Sequence, residues 1–225
     1  MRPDTRKSLE KFNGEWADCQ ACSLGKRRHA EGQAFVAGEG TPGSVMFIGE
    51  GPGWQEEQEG RPFVGKSGGL LRGILQKLNM QDVYISNVVP CRSCGPVIDT
   101  AGQTAMRFDR RLKMHVPRVT DKVPPPEAVT ACRPRLQEEI YLVDPVLIVT
   151  LGVPAAEALL ARSVKITKER GEPTHVTIPG NRFVPELTEK GKWARKVKGE
   201  WRQPSAPRQV RYLVLPTLHP AFVLR

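Results

Sequence analysis

The stretch Val45-Met46-Phe47-Ile48-Gly49-Glu50-Gly51-Pro52-Gly53 decides the fold. An apolar, β-rich run ends in a carboxylate and a Gly/Pro turn. That order puts Glu50 at the C-terminal end of a buried strand, where open α/β sheets bind ligands. Gly51 and Gly53 are expected to free backbone N–H groups, because glycine takes φ/ψ values closed to other residues. Ten residues after Glu50 begins Gly60-Arg61-Pro62-Phe63-Val64-Gly65, which sets an aromatic ring between turn-formers on a loop facing the same crevice. A carboxylate, bare backbone donors and an aromatic face together suit a flat, polar heterocycle.

Working outward, three more apolar runs read as strands: Val83-Tyr84-Ile85-Ser86, Val146-Leu147-Ile148-Val149 and Tyr212-Leu213-Val214-Leu215. They are continuous rather than alternating, as in strands covered on both faces. Helical patterns lie between them. Leu70, Leu71, Ile74, Leu75 and Leu78 make one apolar face, Leu136, Ile140 and Leu142-Val143 mark another after Pro134, and Ala155 to Leu160 follow Pro154. Strands alternating with helices predict a three-layer α/β/α domain around a central, mainly parallel four-stranded sheet. At 225 residues the chain is long enough for one such domain, spanning 1–225.

Glu50 follows the first strand, Asn87 the second and His219 the last. Singly, each has an ordinary explanation as a turn-former, a solvated acid or a surface residue. Three polar groups at the carboxyl ends of three strands converge on one rim, the expected ligand crevice.

Two segments break the pattern and read as insertions, 95–122 and 181–209. The first carries Arg107, Arg110, Arg111, Lys113 and Arg118; the second carries Lys190, Lys192, Arg195, Lys196, Lys198, Arg202 and Arg208 with Trp193 and Trp201 interleaved. Either they are solvated loops, or their cations and aromatics grip phosphates and stack bases. The whole chain has 34 Lys+Arg against 24 Asp+Glu, a net charge of +10, which favours a polyanionic partner. No apolar run reaches membrane-spanning length, so a soluble, intracellular (cytoplasmic) protein without a membrane partner is expected. Five cysteines in that setting read as metal ligands or free thiols before disulfides.

The sequence resembles the family 4, iron–sulfur uracil-DNA glycosylases. The resemblance rests on Cys19-Gln20-Ala21-Cys22, Gly49-Glu50-Gly51-Pro52-Gly53, Gly60 to Lys66, Asn87-Val88-Val89, Cys91, Cys132 and His219-Pro220-Ala221, in the family's order. It implies a glycosylase-like fold and hydrolysis of the N-glycosidic bond between uracil and deoxyribose in DNA, leaving an abasic site. Glu50 and His219 would be catalytic, with His219 a neutral donor to uracil O2 and Glu50 directing the water and stabilising the sugar cation. Gly51, Phe63, Asn87 and Glu56 would complete the uracil site: a backbone donor, a stacking ring, a reader of the base edge, and a wall against the thymine methyl. Lys66, Pro220, Phe222 and Leu224 would contact DNA, with Leu224 or Val223 as a wedge. A monomer acting on uracil-containing DNA is expected, and an end at Arg225, where the family usually continues into a further helix, reads as a possible truncation.

The same resemblance implies a [4Fe–4S] cluster held by Cys19, Cys22, Cys91 and Cys132, in a structural role. Spacing alone allows a second arrangement, a zinc site of Cys19, Cys22, Cys91 and Cys94. Three functional alternatives stay open: a DNA-binding family member without efficient cleavage, a variant that links covalently to the abasic sugar, against which Gly51 speaks, and a zinc-stabilised nucleotide-binding protein.

Overall fold

The computed structural model describes residues 5–179, 186–187, 193–197, 200–202 and 209–224. In chain order, α1 (Thr5–Ala17) and α2 (Ser23–Ala30) precede β1 (Glu39–Gly40), β2 (Val45–Gly49), α3 (Trp54–Glu59), α4 (Lys66–Lys77) and β3 (Val83–Asn87). A ribbon of β4 (Cys94–Pro96), β5 (Met106–Asp109), β6 (Met114–Pro117) and β7 (Val119–Asp121) follows. Then come α5 (Pro126–Val143), β8 (Leu147–Leu151), α6 (Val153–Leu160), α7 (Ile166–Glu169) and β9 (Thr174–Pro179). The short strands β10 (Glu186–Leu187), β11 (Trp193–Val197) and β12 (Glu200–Arg202) pair with one another, and β13 (Gln209–Thr217) and α8 (Pro220–Val223) end the described chain.

The central sheet has the order β1-β3-β2-β8-β13-β9. Its middle four strands, β3, β2, β8 and β13, are parallel, and β1 and β9 are added antiparallel at the edges. The expected four-stranded parallel sheet is therefore the interior of a six-stranded one. Antiparallel edge strands close the two sides of a parallel sheet without another helical crossover.

Side chains of the parallel strands alternate between two cores. Met46, Ile48, Tyr84, Ile148 and Val214 join Leu9 and Phe12 of α1 and Leu136 and Ile140 of α5 on one face. Phe47, Val83, Ile85, Val149 and Leu151 join Leu71 and Leu75 of α4 on the other. These are the two helical layers of the α/β/α arrangement.

Three expectations change. The apolar face of α4 is narrower than its sequence suggests: Leu71 and Leu75 are buried, while Ile74 and Leu78 are exposed. Gly68 brings that helix close, since a β-carbon there would lie 2.0 Å from the Phe63 carbonyl oxygen. Helix α5 begins at Pro126 and runs through Pro134 rather than after it. Pro126 sits in the first turn, where a missing N–H costs nothing. Segment 95–122 is an ordered antiparallel ribbon, not a loop. Of the second insertion, Trp193, Arg195, Lys196, Trp201 and Arg202 fall on β11 and β12, and Lys190, Lys192, Lys198 and Arg208 lie outside the described residues.

Candidate active site

Parallel pairing fixes the site. Gly49 of β2 is level with Asn87 of β3, and the Gly152 N–H after β8 donates to the Thr217 carbonyl at the end of β13 over 2.9 Å. All four strands therefore end on one edge, and the residues that follow them face a common cavity of about 680 Å³. Glu50, Gly51, Glu56, Phe63, Lys66, Asn87, His219 and Phe222 line it, together with Trp54 and residues 121–124 at the foot of the ribbon. That size suits a nucleoside-scale ligand.

The floor is built by close approach. A β-carbon at Gly49 would lie 2.5 Å from Asn87 Oδ1 and 2.5 Å from Phe63 Cζ. Glycine is therefore required there for the amide and the ring to meet. Phe63 takes a left-handed φ of 54°, uncommon for an aromatic residue, and its ring lies 6.1 Å from the His219 ring at 36°. Arg72 holds the loop in that shape by donating to the Phe63 and Pro62 carbonyls at 3.0 and 2.9 Å. Gly51 and Gly53 do not adopt left-handed φ, so their expected conformational role is not used.

Asn87 is buried, and its Oδ1 has no partner among the described residues. An orphaned buried acceptor costs free energy unless a ligand or water meets it. Below it, Arg135 donates to the Asn87 carbonyl at 2.6 Å and to Glu139 at 3.0 Å. Glu139 in turn accepts from Ser86 at 2.8 Å and from Tyr84 at 3.3 Å. The Arg135–Glu139 pair is fully enclosed, so removing one partner alone would leave an uncompensated buried charge.

His219 caps α8: its Nδ1 accepts the Ala221 N–H at 3.1 Å. Nδ1 must then be unprotonated, which leaves the proton of the neutral ring on Nε2 as a donor. Burial pushes the His219 imidazole below its ordinary value, favouring the neutral ring. Gly152 adopts φ 91° and packs against His219, where a β-carbon would come within 3.1 Å of the His219 Cβ. Burial pushes the Glu50 carboxyl above its ordinary value.

Glu56 faces the cavity, but its carboxylate is engaged. Oε2 accepts the Gly53 N–H at 3.1 Å, and Oε1 accepts the N–H groups of Val64 and Gly65 at 3.1 and 2.8 Å. It thereby ties the Gly/Pro turn to the loop that bears Phe63. Lys66 opens α4 on the rim, Pro220 is buried at the start of α8, and Phe222 and Leu224 are more than half exposed.

Sequence reasoning missed Arg135 and Glu139, whose signal was an Arg–Glu pair four residues apart just before the core residues Leu136 and Ile140. It also missed Trp54, exposed at the cavity directly after Gly53, and Arg92, which joins Glu57 of α3 to Asp121 of the ribbon at 3.2 and 2.6 Å.

Cys22, Cys91 and Cys132 are buried in one core with α1 and α5, and all five cysteines are free thiols. The Cys132 thiol is pushed up to about 12 by burial, opposed by Arg135 and reinforced by Cys22, Cys91 and Cys19. Burial likewise raises Cys91, which Arg28 counters and Cys22 and Cys19 reinforce. Those four thiols are electrostatic neighbours. Cys94 stands apart, accepting from Arg27 Nη1 at 2.8 Å. Among the described residues no three His, Cys, Asp or Glu side chains converge as a metal site. Four sulfurs bound at about 2.3 Å to a single zinc ion would lie roughly 3.8 Å apart. The described thiols form no such group, and Arg28 and Arg135 supply charge opposite to thiolates at Cys91 and Cys132.

Among the described residues no helix is long and apolar enough to cross a membrane. Residues 35–225 match the uracil DNA glycosylase superfamily. The type-4 uracil-DNA glycosylase of Thermotoga maritima is 34% identical over 174 residues, covering 75% of this chain and 76% of that protein. That of Sulfurisphaera tokodaii is 34% identical over 173 residues, covering 73% of this chain and 66% of the relative. For Pyrobaculum aerophilum the identity is 34% over 155 residues, covering 68% and 64%. With a sheet, a strand-end cavity and relatives that all agree, this chain belongs to the uracil DNA glycosylase superfamily and, within it, to the type-4 uracil-DNA glycosylases.

Proposed function

We propose that this chain is a monofunctional glycosylase that flips uracil out of DNA and hydrolyses its N-glycosidic bond, leaving an abasic site for base-excision repair. One observation carries the reading: Glu50, Phe63, Asn87 and His219 face one cavity in which the Asn87 acceptor has no partner among the described residues. Asn87 Oδ1 would accept uracil N3–H while its amide NH₂ donates to O4. Cytosine presents the reverse pattern and would leave those groups unpaired, at about 1–3 kcal/mol each. Phe63 would stack on the extruded ring, worth roughly 1–3 kcal/mol.

In the reaction the C1′–N1 bond breaks and its electron pair leaves with the base, whose anion is delocalised onto O2. His219 Nε2–H donates to that oxygen, and the Gly51 N–H is a second donor. Donors fixed where charge develops stabilise the transition state without reorganising. A water oxygen bonds to C1′, its proton passing to Glu50, whose charge also offsets the oxocarbenium character of the sugar. Glu56 acts as a positioning residue by joining the two loops. Lys66, at the head of α4, lies on the rim where a backbone phosphate would pass. Phe222 and Leu224 supply apolar groups for the space the base vacates.

Cys19, Cys22, Cys91 and Cys132 would hold a [4Fe–4S] cluster, which when bound ties the segment after α1 to α5 and to the strand-end loop of Asn87. The hydrolysis needs no electron from it. The test of base reading is Asn87→Asp, which replaces the NH₂ donor by an acceptor. Uracil excision is expected to fall at least tenfold in single turnover, with DNA affinity unchanged. Undiminished excision would remove Asn87 from base recognition.

A further inference from the structure

The ribbon between Cys94 and Lys122 is a built arm rather than filler. Cys94 pairs with Asp121 at its foot, and Asp109 pairs with Met114 near its tip. From foot to tip the return from Met114 to Asp121 spans roughly 20 Å at about 3.3 Å per residue. The foot lines the proposed uracil cavity through Asp121, Lys122, Val123 and Pro124. It is anchored there by Arg92, which bonds both Asp121 and Glu57. The arm is therefore fixed at the rim of the site.

Its charge is sorted. Segment 94–122 carries six Arg and Lys residues and three acids, Asp99, Asp109 and Asp121. Each acid is engaged, Asp99 and Asp109 within the arm and Asp121 at its foot. Asp99 Oδ1 accepts the Ala101 and Gln103 N–H groups at 2.9 Å each. Asp109 Oδ1 accepts those of Arg111 and Leu112 at 2.9 and 3.1 Å, and its Oδ2 faces Arg107 at 3.6 Å. Asp121 pairs with Arg92. Arg110, Arg111, Lys113, Arg118 and Lys122 are exposed and make no ion pair among the described residues. The tip turn, closed by Asp109 and by Lys113 at φ 52°, presents three of them together.

A two-stranded ribbon that buries neither face gains little from folding alone, and unpaired cations held on such a ribbon suit a polyanion. We infer that this arm is a second DNA contact: it grips backbone phosphates some 20 Å from the flipped nucleotide through Arg110, Arg111 and Lys113. The identity of the partner rests on the glycosylase reading above. Duplex DNA rises about 3.4 Å per base pair, so the tip would meet phosphates about six base pairs from the uracil. At physiological salt, charges act over about 8 Å. The tip therefore does not act on the reaction through space, and a short substrate does not sense it.

The test compares two uracil duplexes, one with three base pairs on either side of the uracil and one with fifteen. Affinity is measured against salt concentration for the wild-type protein and for Arg110→Ala/Arg111→Ala/Lys113→Ala. On the long duplex the triple variant is expected to flatten the slope of log K against log salt by about 2.7, at about 0.9 per phosphate contact. On the short duplex its excision rate is expected to match the wild type, which also shows that it folds. R110K/R111K is expected to keep the wild-type slope. If the triple variant fails to fold, Arg111→Ala and Lys113→Ala singly are each expected to flatten it by about 0.9. An unchanged long-duplex slope overturns the proposal and leaves the exposed Met106 and Phe108 face to a protein partner. A flattened slope in a protein that removes no uracil upholds the arm and refutes the glycosylase reading instead.

Discussion

Glu56→Gln separates two roles for one cavity residue. In the structure one carboxylate oxygen accepts two backbone N–H groups, from Val64 and Gly65, and the other accepts one, from Gly53. A glutamine amide keeps only one acceptor oxygen. It retains the pair at Val64 and Gly65 by turning its NH₂ toward Gly53, where donor faces donor. Hydrogen bonds to a charged acceptor contribute about 1.5–3 kcal/mol, and these are partly open to water, so the loss should be about 1–2 kcal/mol. Glu56→Ala removes all three and should cost about 3 kcal/mol. In a domain of this size each kcal/mol lowers Tm by about 2–4 °C. Expected shifts are thus about 2–8 °C for the glutamine and about 6–12 °C for the alanine variant, read by thermal denaturation of the cluster-loaded protein. Uracil excision in single turnover should fall in the same order, because the loop bearing Phe63 loosens. Thymine should remain uncleaved. A Glu56→Gln protein of unchanged Tm that releases thymine would refute the brace and restore Glu56 as a wall against the 5-methyl group.

Two further outcomes follow from the site. On the proposed mechanism excision requires ionised Glu50 and neutral His219, so acidification should abolish it. Burial moves Glu50 upward from 4.5 and His219 downward from 6.5, so the single-turnover rate should fall as pH is lowered. The loss from Glu50 is under way already above pH 4.5, and that from His219 sets in only below pH 6.5. A rate that rises on acidification would mean that His219 acts as an imidazolium. The same shifts have opposite signs for stability: buried neutral His219 makes the fold gain stability as pH rises toward 6.5, whereas the raised Glu50 makes it lose stability as pH rises above 4.5. Among the cysteines, Cys132→Ser should lower iron and acid-labile sulfide content and reduce Tm. Cys94→Ser should leave both unchanged. Equal loss of metal in the two variants, or zinc in place of iron, would favour the ligand set that includes Cys94.

The parallel strands and the site rim were legible because burial on both faces leaves uninterrupted apolar runs, and because a polar residue directly after such a run has one place to go. Glu50, Asn87 and His219 could be brought together on that argument before any coordinates. Edge strand β9 was not legible: Thr174, Val176 and Ile178 alternate with His175 and Thr177, and only Ile178 is deeply buried. Helix α1 carries Leu9, Phe12 and Trp16 at helical spacing, with too few apolar residues to mark its full 13-residue length. The ribbon escaped because exposed strands on both faces need no hydrophobic period. The Arg135–Glu139 pair escaped for a different reason. Charged residues on a helix normally mark its solvent side, and here they are enclosed to hold the carbonyl of Asn87.

The central claim is cleavage of the base–sugar bond by this cavity. Its most direct test is single-turnover treatment of a uracil-containing oligonucleotide with anaerobically purified protein, followed by hot alkali to break abasic sites. The expected result is strand breakage that depends on both uracil and alkali and is lost in His219→Ala while DNA binding persists. Intact strands from protein that carries its metal and binds the same DNA would contradict the claim and favour a DNA-binding member without cleavage.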